Sequence, residues 1–236
     1  MREQSARLKG RARTALLGNY TPIIVSFIIL LLLFLLASYP FNYSLLISQR
    51  NSAIIIYIIA NILIMLVLYE FLIGLIYMTM KIARGEQAYV RDLLFAFRNR
   101  PDRFIPVFII RELVFFICLL PSYALMFISV SYSNLLWLNL ARIILTLLGV
   151  IVGLLITAFF SFTELILIED SSVKGSEGLK LSRDMLRGHI GQLIYILISF
   201  IGYYILSIIS FNIGFLWTIP YSLETLVQYY YDLKAV

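Results

Sequence analysis

Six long apolar stretches, each close to or above the length that crosses a bilayer, constrain this chain more than any other feature. A bilayer core about 30 Å thick requires about 20 apolar residues in a helix. The mean hydropathy is +0.94 and 14% of the residues are charged, against roughly 25% in an average soluble domain. We therefore predict an all-α, polytopic transmembrane helical bundle of about six spans. The predicted spans are residues 20–40, 53–80, 104–131, 135–168, 192–211 and 213–231.

The last span has a less regular pattern than the others. Pro220 interrupts it, and Asn212 and Gly214 leave room for only a short turn after the fifth span. A kinked or re-entrant hairpin that does not fully cross the membrane is therefore an alternative at this point.

Lys and Arg residues fall almost entirely on alternate sides of the predicted spans. Of the 19 basic residues, 16 lie on the side of the two termini, and the opposite side has only Arg50. Because basic loops remain in the cytoplasm, we predict a multi-pass membrane protein with both termini cytoplasmic. The net charge of +6 then points to anionic lipid headgroups as partners rather than to nucleic acid.

Each cytoplasmic segment combines basic residues with apolar residues at helical spacing. Val90, Leu93, Leu94 and Phe97, for example, follow the i, i+3, i+4, i+7 pattern. We predict three amphipathic helices, which either lie in the headgroup zone or cover the ends of the bundle. The candidate contacts with lipid headgroups are Arg11, Arg13, Arg91, Arg98, Arg183 and Arg187.

The whole chain, residues 1–236, is predicted to form one membrane domain built from three pseudo-repeats. Each repeat is an amphipathic helix followed by a transmembrane hairpin, in residues 1–80, 81–168 and 169–236. The first and third repeats share a short local similarity at residues 15–19 and 185–189, where a glycine marks a helix exit. Internal repeats are common in transport folds, but they also arise in inert scaffolds.

Charged residues inside the apolar spans are the best indication of a site, because a charge at the centre of a transmembrane helix costs about 3 kcal/mol. The candidate intramembrane polar site consists of Glu70, Arg111, Arg142 and Glu224. Glu70 is the deepest, and Arg111 on the next span is a candidate partner for it. These residues would form a polar path or pocket, or alternatively buried pairs that fix helix register. We favour the functional interpretation for Glu70 and the structural one for the other three.

The side chains of common hydrolytic chemistry are scarce, so we predict that the protein is not an enzyme. One His and one Cys cannot build a His/Cys metal cluster, and no Asp lies within a predicted span. Walker A, dinucleotide-binding and Gly-x-Ser-x-Gly patterns do not occur in the sequence. No cofactor or metal is expected.

Several C-terminal motifs resemble a known family. These are Leu-Ser-Arg-Asp-Met-Leu-Arg-Gly-His at 181–189, Ser-Phe-Ile-Gly at 199–202, Asn-Ile-Gly-Phe-Leu-Trp at 212–217 and Tyr-Tyr-Asp-Leu at 230–233. Together with Pro220-Tyr221 and the stretches 13–19 and 82–85, they resemble a domain-of-unknown-function family of polytopic membrane proteins of Gram-positive bacteria. Pro121-Ser122 stands where the family would have a Pro-Gly pair. The resemblance implies a protein of the bacterial cytoplasmic membrane and supplies no activity.

The predicted function is a non-enzymatic membrane protein that binds lipid, a peptide or a partner protein as an accessory or regulatory component. The alternative is a transporter or channel-like permease with a polar path around Glu70. Gly149 and Gly153 form a Gly-x-x-x-Gly motif, which serves either a homodimer or packing inside the bundle. The oligomeric state is therefore left open.

Overall fold

The computed structural model describes residues 1–47, 51–131 and 136–235, with side chains described for 1–37, 56, 58–126 and 136–235. Helices account for all the regular structure of these residues, which contain no strand. Arg50, the basic residue predicted on the opposite side, and the start of the fourth predicted span lie outside the described residues. The α-helices are α1 (Arg2–Leu16), α2 (Tyr20–Ile47), α3 (Asn51–Ala83), α4 (Phe95–Arg98), α5 (Ile105–Ser131), α6 (Leu136–Ala158), α7 (Thr163–Glu169), α8 (Gly175–Leu186), α9 (Ile190–Ile198), α10 (Ile201–Ile209) and α11 (Phe215–Lys234).

Five stretches of helix in the described residues are long and apolar enough to cross a membrane, which is close to the predicted six. They are Tyr20–Ala37, Ile58–Ala83, Pro101–Met126, Leu136–Glu169 and Ile190–Ile209. The sixth predicted span corresponds to α11, which is long enough at 20 residues but more polar. Its polar residues Thr218, Ser222, Thr225 and Gln228 are buried, because α11 packs against α1, α2, α3 and α10. Protein therefore covers its polar surface.

The long helices pack as antiparallel pairs. α2 packs against α3, α5 against α6 and α10 against α11. In the α5–α6 pair, a Cβ on Gly153 would come within 2.8 Å of the Phe115 ring, and one on Gly149 would meet the Cys118 carbonyl. The Gly-x-x-x-Gly motif is thus used for close packing inside this pair, which is the second of the two predicted alternatives.

Most of the buried side chains lie near one end of the bundle, which we call the basic end because Arg7, Lys81, Arg103 and Lys174 are located there. Three apolar clusters join the elements at this end. One links α1, α8, α9 and α11, a second links α3, α5, α7 and α8, and the third links α1, α2 and α3. Away from this end the helices present mainly exposed apolar side chains, as expected for surfaces that face lipid.

Two of the three predicted amphipathic helices, α1 and α8, bury their apolar faces against the bundle. The buried positions of α1 are residues 5, 8, 12 and 16. Those of α8 include residues 175, 178, 182 and 186, each 170 positions after its counterpart in α1. Gly18 and Gly188 follow these helices with the same φ of +85°. The backbone N–H groups of Asn19 and His189 each donate over 2.9 Å to the carbonyl three residues earlier. The short similarity seen in the sequence thus corresponds to one repeated turn.

The amphipathic helix predicted around residues 90–97 differs from expectation, because this segment forms a 3₁₀ turn, Val90–Leu94, followed by the single-turn α4. Of the four residues in the predicted apolar stripe, Leu93 is buried, whereas Val90, Leu94 and Phe97 are exposed. Gly74 explains the break in the pattern, since a Cβ there would overlap the Leu93 carbonyl oxygen. The segment is held against α3 by this backbone contact, by the ion pair of Asp92 with Lys81 at 2.9 Å, and by ring contacts of Phe95 and Phe97.

The fifth span is broken into α9 and α10 at Ser199 and Phe200. The Lys9 ammonium of α1 donates to the Ser199 carbonyl oxygen over 3.0 Å and lies 4.3 Å from the centre of the Phe200 ring. Burial lowers the pKa of Lys9. The hydrogen bond satisfies a carbonyl at the point where the helix is interrupted, and so links α1 to the third repeat.

Candidate functional site

The four residues of the predicted intramembrane site do not form one cluster. Arg111 belongs to an ion pair that joins three helices, Arg142 lines a groove between α5 and α6, and Glu70 and Glu224 are buried on α3 and α11. Each location is therefore described separately below.

Arg111 pairs with Glu164 and not with Glu70, so the predicted partner is wrong. The Arg111 Nη1 and the Tyr69 hydroxyl both donate to Oε1 of Glu164, the tyrosine over 2.9 Å. Depth along the helices suggested Glu70 as the partner of Arg111. Neighbouring residues of a helix point in different directions, however, and it is the adjacent Tyr69 that faces Arg111. The cluster joins α3, α5 and α7, and Glu164 is buried. Its role is consistent with the structural interpretation.

Glu70 is 2% exposed, and neither carboxylate oxygen has a hydrogen-bond partner among the described residues. It lies one helical turn before Gly74, so both occupy one face of α3. That face contacts the Val90–Leu94 turn at Leu93. An ionised carboxylate without a partner in such a place is energetically expensive. Glu70 therefore remains the least satisfied of the four predicted residues.

Glu224 is fully buried at 0% exposure. Its Oε1 accepts a hydrogen bond from Nε2 of Gln228 over 2.8 Å, one turn further along α11. The Oε2 has no partner among the described residues. Because Gln228 is on the same helix, this bond stabilises α11 itself rather than a contact between helices.

Arg142 lines an open groove of about 410 Å³ between α5 and α6. It is six residues from the start of α6, about 9 Å along the helix axis, at the end away from the basic end. The Ser122 and Thr146 hydroxyls, 2.6 Å apart, lie in the same groove. Arg142 has no ion pair among the described residues. The remaining lining is Leu119, Tyr123, Met126, Ile143 and Leu147.

The six arginines predicted to contact lipid headgroups all lie in or next to the elements of the basic end, and some have protein partners. Arg11 bonds to Asp232 of α11, and Arg183 lies 3.3 Å from the neighbouring Asp184. Arg91 lies 5.0 Å from the centre of an adjacent tyrosine ring. The others, Arg13, Arg98 and Arg187, are exposed.

A second polar cavity, which the sequence did not indicate, lies at the basic end. It has a volume of about 350 Å³ and lies where the chain enters α5 and α8, and we call it the basic-end pocket. The sequence identified Arg103 only as one of many loop cations, because nothing in its local pattern predicts burial. The pocket is lined by Arg100, Asp102, Arg103, Pro106, Ser172, Val173, Lys174, Gly175 and Ser176.

No group of three or more His, Cys, Asp or Glu side chains able to hold a metal occurs in the described parts of the chain. His189 precedes α9, where its carbonyl accepts a hydrogen bond from the Tyr229 hydroxyl over 2.9 Å. Cys118 is a free cysteine on α5.

These features define an all-helical membrane protein with long apolar helices joined at a basic end. A family model described as "Protein of unknown function (DUF975)" matches residues 1–236, so the chain belongs to this family. The predicted resemblance to a domain-of-unknown-function family is confirmed. No curated protein and no solved structure matches the chain.

Replacing Arg111 or Glu164 alone by methionine should destabilise the protein by about 3 kcal/mol, because each change leaves an uncompensated buried charge. The double replacement should cost clearly less than the sum of the two single changes. Thermal unfolding in detergent, monitored by size-exclusion chromatography, compares the stability of the wild type, the two single variants and the double variant. Arg142→Leu is the control and should have a small effect. Additive losses would show that the two residues do not act as a pair.

Proposed function

We propose that this chain is a non-enzymatic integral membrane protein that binds a phospholipid in the groove between α5 and α6. The observation that carries the proposal is an arginine without an ion pair among the described residues, Arg142, in a groove with apolar walls. A lipid phosphate would accept hydrogen bonds from the guanidinium, while acyl chains would contact Leu119, Ile143 and Leu147. In this role the protein would be an accessory or regulatory component of the membrane.

Two further features support binding within the membrane rather than a reaction. The groove opens along the side of the α5–α6 pair, where lipid can enter without crossing the bundle. The polar clusters described above are separated from one another, so they do not line a shared cavity in which a reaction could occur. A peptide or the helix of a partner protein could also occupy the groove, but the lone cation favours an anionic headgroup.

The proposed orientation places the basic end in the cytoplasm of a bacterial cell, with both termini inside. It rests on the positive-inside rule. In a Cys118→Ser background, a cysteine at exposed Ala6 should react with a membrane-impermeant maleimide only after the cells are lysed. A cysteine at Leu136, the first residue of α6, lies at the end of the bundle away from the basic end and should react in intact cells. Labelling of the Ala6 position in intact cells would show that the protein has the opposite orientation.

Arg142→Leu should weaken phospholipid binding about tenfold, because one charged hydrogen bond worth about 1.5 kcal/mol is lost. Native mass spectrometry of the protein purified in mild detergent and titrated with phosphatidylglycerol measures the bound fraction. Arg142→Lys keeps the positive charge and should retain most of the binding. Equal binding by the wild type and Arg142→Leu would refute the site, and a co-purified protein instead of lipid would favour the partner-binding alternative.

Transport is the second candidate function, because Glu70 is buried without a hydrogen-bond partner for either oxygen among the described residues. A carboxyl group in such a place can accept a proton or hold a cation, as in proton relays of membrane transporters. The separation of Glu70 from the groove at Arg142 weighs against a continuous path. For this reason we place transport second.

Glu70→Gln should abolish ion movement if the protein transports protons or Na⁺, because the amide cannot ionise. Purified protein in liposomes, with a pH-sensitive dye inside and then with a Na⁺ gradient, provides the measurement. Glu86→Gln is the matched control, since Glu86 is exposed and pairs with Arg84 at the surface. Wild-type liposomes that show no flux, or flux that Glu70→Gln leaves unchanged, would exclude this role for Glu70.

A further inference from the structure

We propose that the basic-end pocket binds a phosphoryl group, carried either by a lipid headgroup or by a small soluble phosphate. This site is distinct from the groove at Arg142 and does not depend on it. Three cations, Arg100, Arg103 and Lys174, line the pocket together with one carboxylate, that of Asp102. The excess of positive charge is the first feature that an anion requires.

Arg103 provides the strongest evidence, because it is a buried cation without an ion-pair partner among the described residues. It is 5% exposed, and its Nη1 donates to the carbonyl oxygens of Asp170, over 3.0 Å, and Val173, over 3.4 Å. Its Nε has no hydrogen-bond partner among the described residues. A buried charge is usually paired, since leaving it unpaired costs several kcal/mol. The carbonyls orient the guanidinium but do not neutralise it.

The two nearest acidic side chains are engaged elsewhere. Asp102 lies 3.6 Å from Arg100 in an exposed pair. Asp170 accepts hydrogen bonds from the backbone N–H and the hydroxyl of Ser172, over 2.8 and 2.6 Å. These bonds lower the pKa of the Asp170 carboxyl. Neither carboxylate lies within 4.0 Å of the Arg103 guanidinium in the described residues, so Arg103 has no ion-pair partner there.

The N-terminus of α8 contributes the remaining donors. Gly175 and Ser176 line the pocket and occupy the first helical positions, whose N–H groups have no acceptor inside the helix. The N-cap residue Lys174 makes no side-chain capping bond. Backbone N–H groups and the helix dipole at such an end favour a negative ligand. The Ser176 side chain, which also lines the pocket, adds a hydroxyl group.

The pocket is held in a fixed shape by close backbone contacts. A Cβ on Gly175 would overlap the Arg103 carbonyl oxygen, so the start of α8 lies directly against the entry to α5. Arg100 adopts a left-handed conformation with φ of 57° immediately before Pro101, which is unusual for a residue other than glycine. This conformation turns the chain at the rim of the pocket. A site that is already formed loses little entropy when its ligand binds.

The position of the pocket is compatible with both sources of a phosphoryl group. It lies next to the first residues of the Pro101–Met126 stretch, where a transmembrane helix meets the headgroup zone. A phospholipid in the adjacent leaflet can therefore place its phosphate there, and a soluble phosphate can enter from water.

The test uses the full-length protein in mild detergent with two probes, inorganic phosphate by isothermal titration calorimetry and phosphatidylglycerol by native mass spectrometry. Lys174→Gln should weaken binding of the recognised probe about tenfold. Lys180→Gln is the matched control, since Lys180 is exposed on the same helix outside the pocket. Ser176→Pro removes the backbone N–H and the hydroxyl of this residue without changing the charge, in a first helical turn that tolerates proline, and should also weaken binding.

Phosphate binding that is lost in Lys174→Gln and kept in Lys180→Gln supports a soluble ligand. Phosphatidylglycerol binding with the same dependence, and no binding of free phosphate, supports a headgroup. The titrations are repeated in an Arg142→Leu background, where the loss of binding caused by Lys174→Gln should be the same, which separates this site from the groove between α5 and α6. Equal binding by wild type, Lys174→Gln and Ser176→Pro, or no binding of either probe by the wild type, would overturn the proposal.

Discussion

The arrangement of the helices depends on one constraint of the bilayer, namely that apolar helices gain no hydrophobic free energy by leaving lipid for one another. Close packing and polar contacts must therefore hold the bundle together. In this chain the ion pair of Arg111 and Glu164, with the Tyr69 hydroxyl, joins three helices, and Gly149 and Gly153 bring α6 close to α5. The clusters at the basic end add contacts where the helices meet water.

This distribution of contacts also explains where ligands could bind. Toward the other end, α3, α5 and α6 present apolar side chains to their surroundings, and the open groove there contains Arg142. At the basic end, Arg103 likewise lacks a carboxylate partner among the described residues. Both proposed sites thus follow from unpaired arginines.

The sequence predicted the helical class and most of the spans because apolar length is a property of single segments. It also predicted the buried face of α1, where Leu8, Ala12 and Leu16 follow helical spacing. In α8 the apolar Leu181 is exposed, and the buried face includes Gly175, Gly178 and Ser182, which a pattern of apolar residues does not record. The sequence did not predict that Arg111 would pair with Glu164, because distance along one helix does not say which neighbour a side chain faces. The burial of Arg103 depends on contacts between residues about 70 positions apart, which no local pattern records.

The polar residues of the last helix are covered by protein, because α1, α2, α3 and α10 pack against it. α11 contains the fully buried Glu224, and α1 packs along it. Arg7 of α1 bonds to Asp232 of α11 over 2.6 Å, and Lys9 reaches the break between α9 and α10. The two ends of the chain therefore depend on each other.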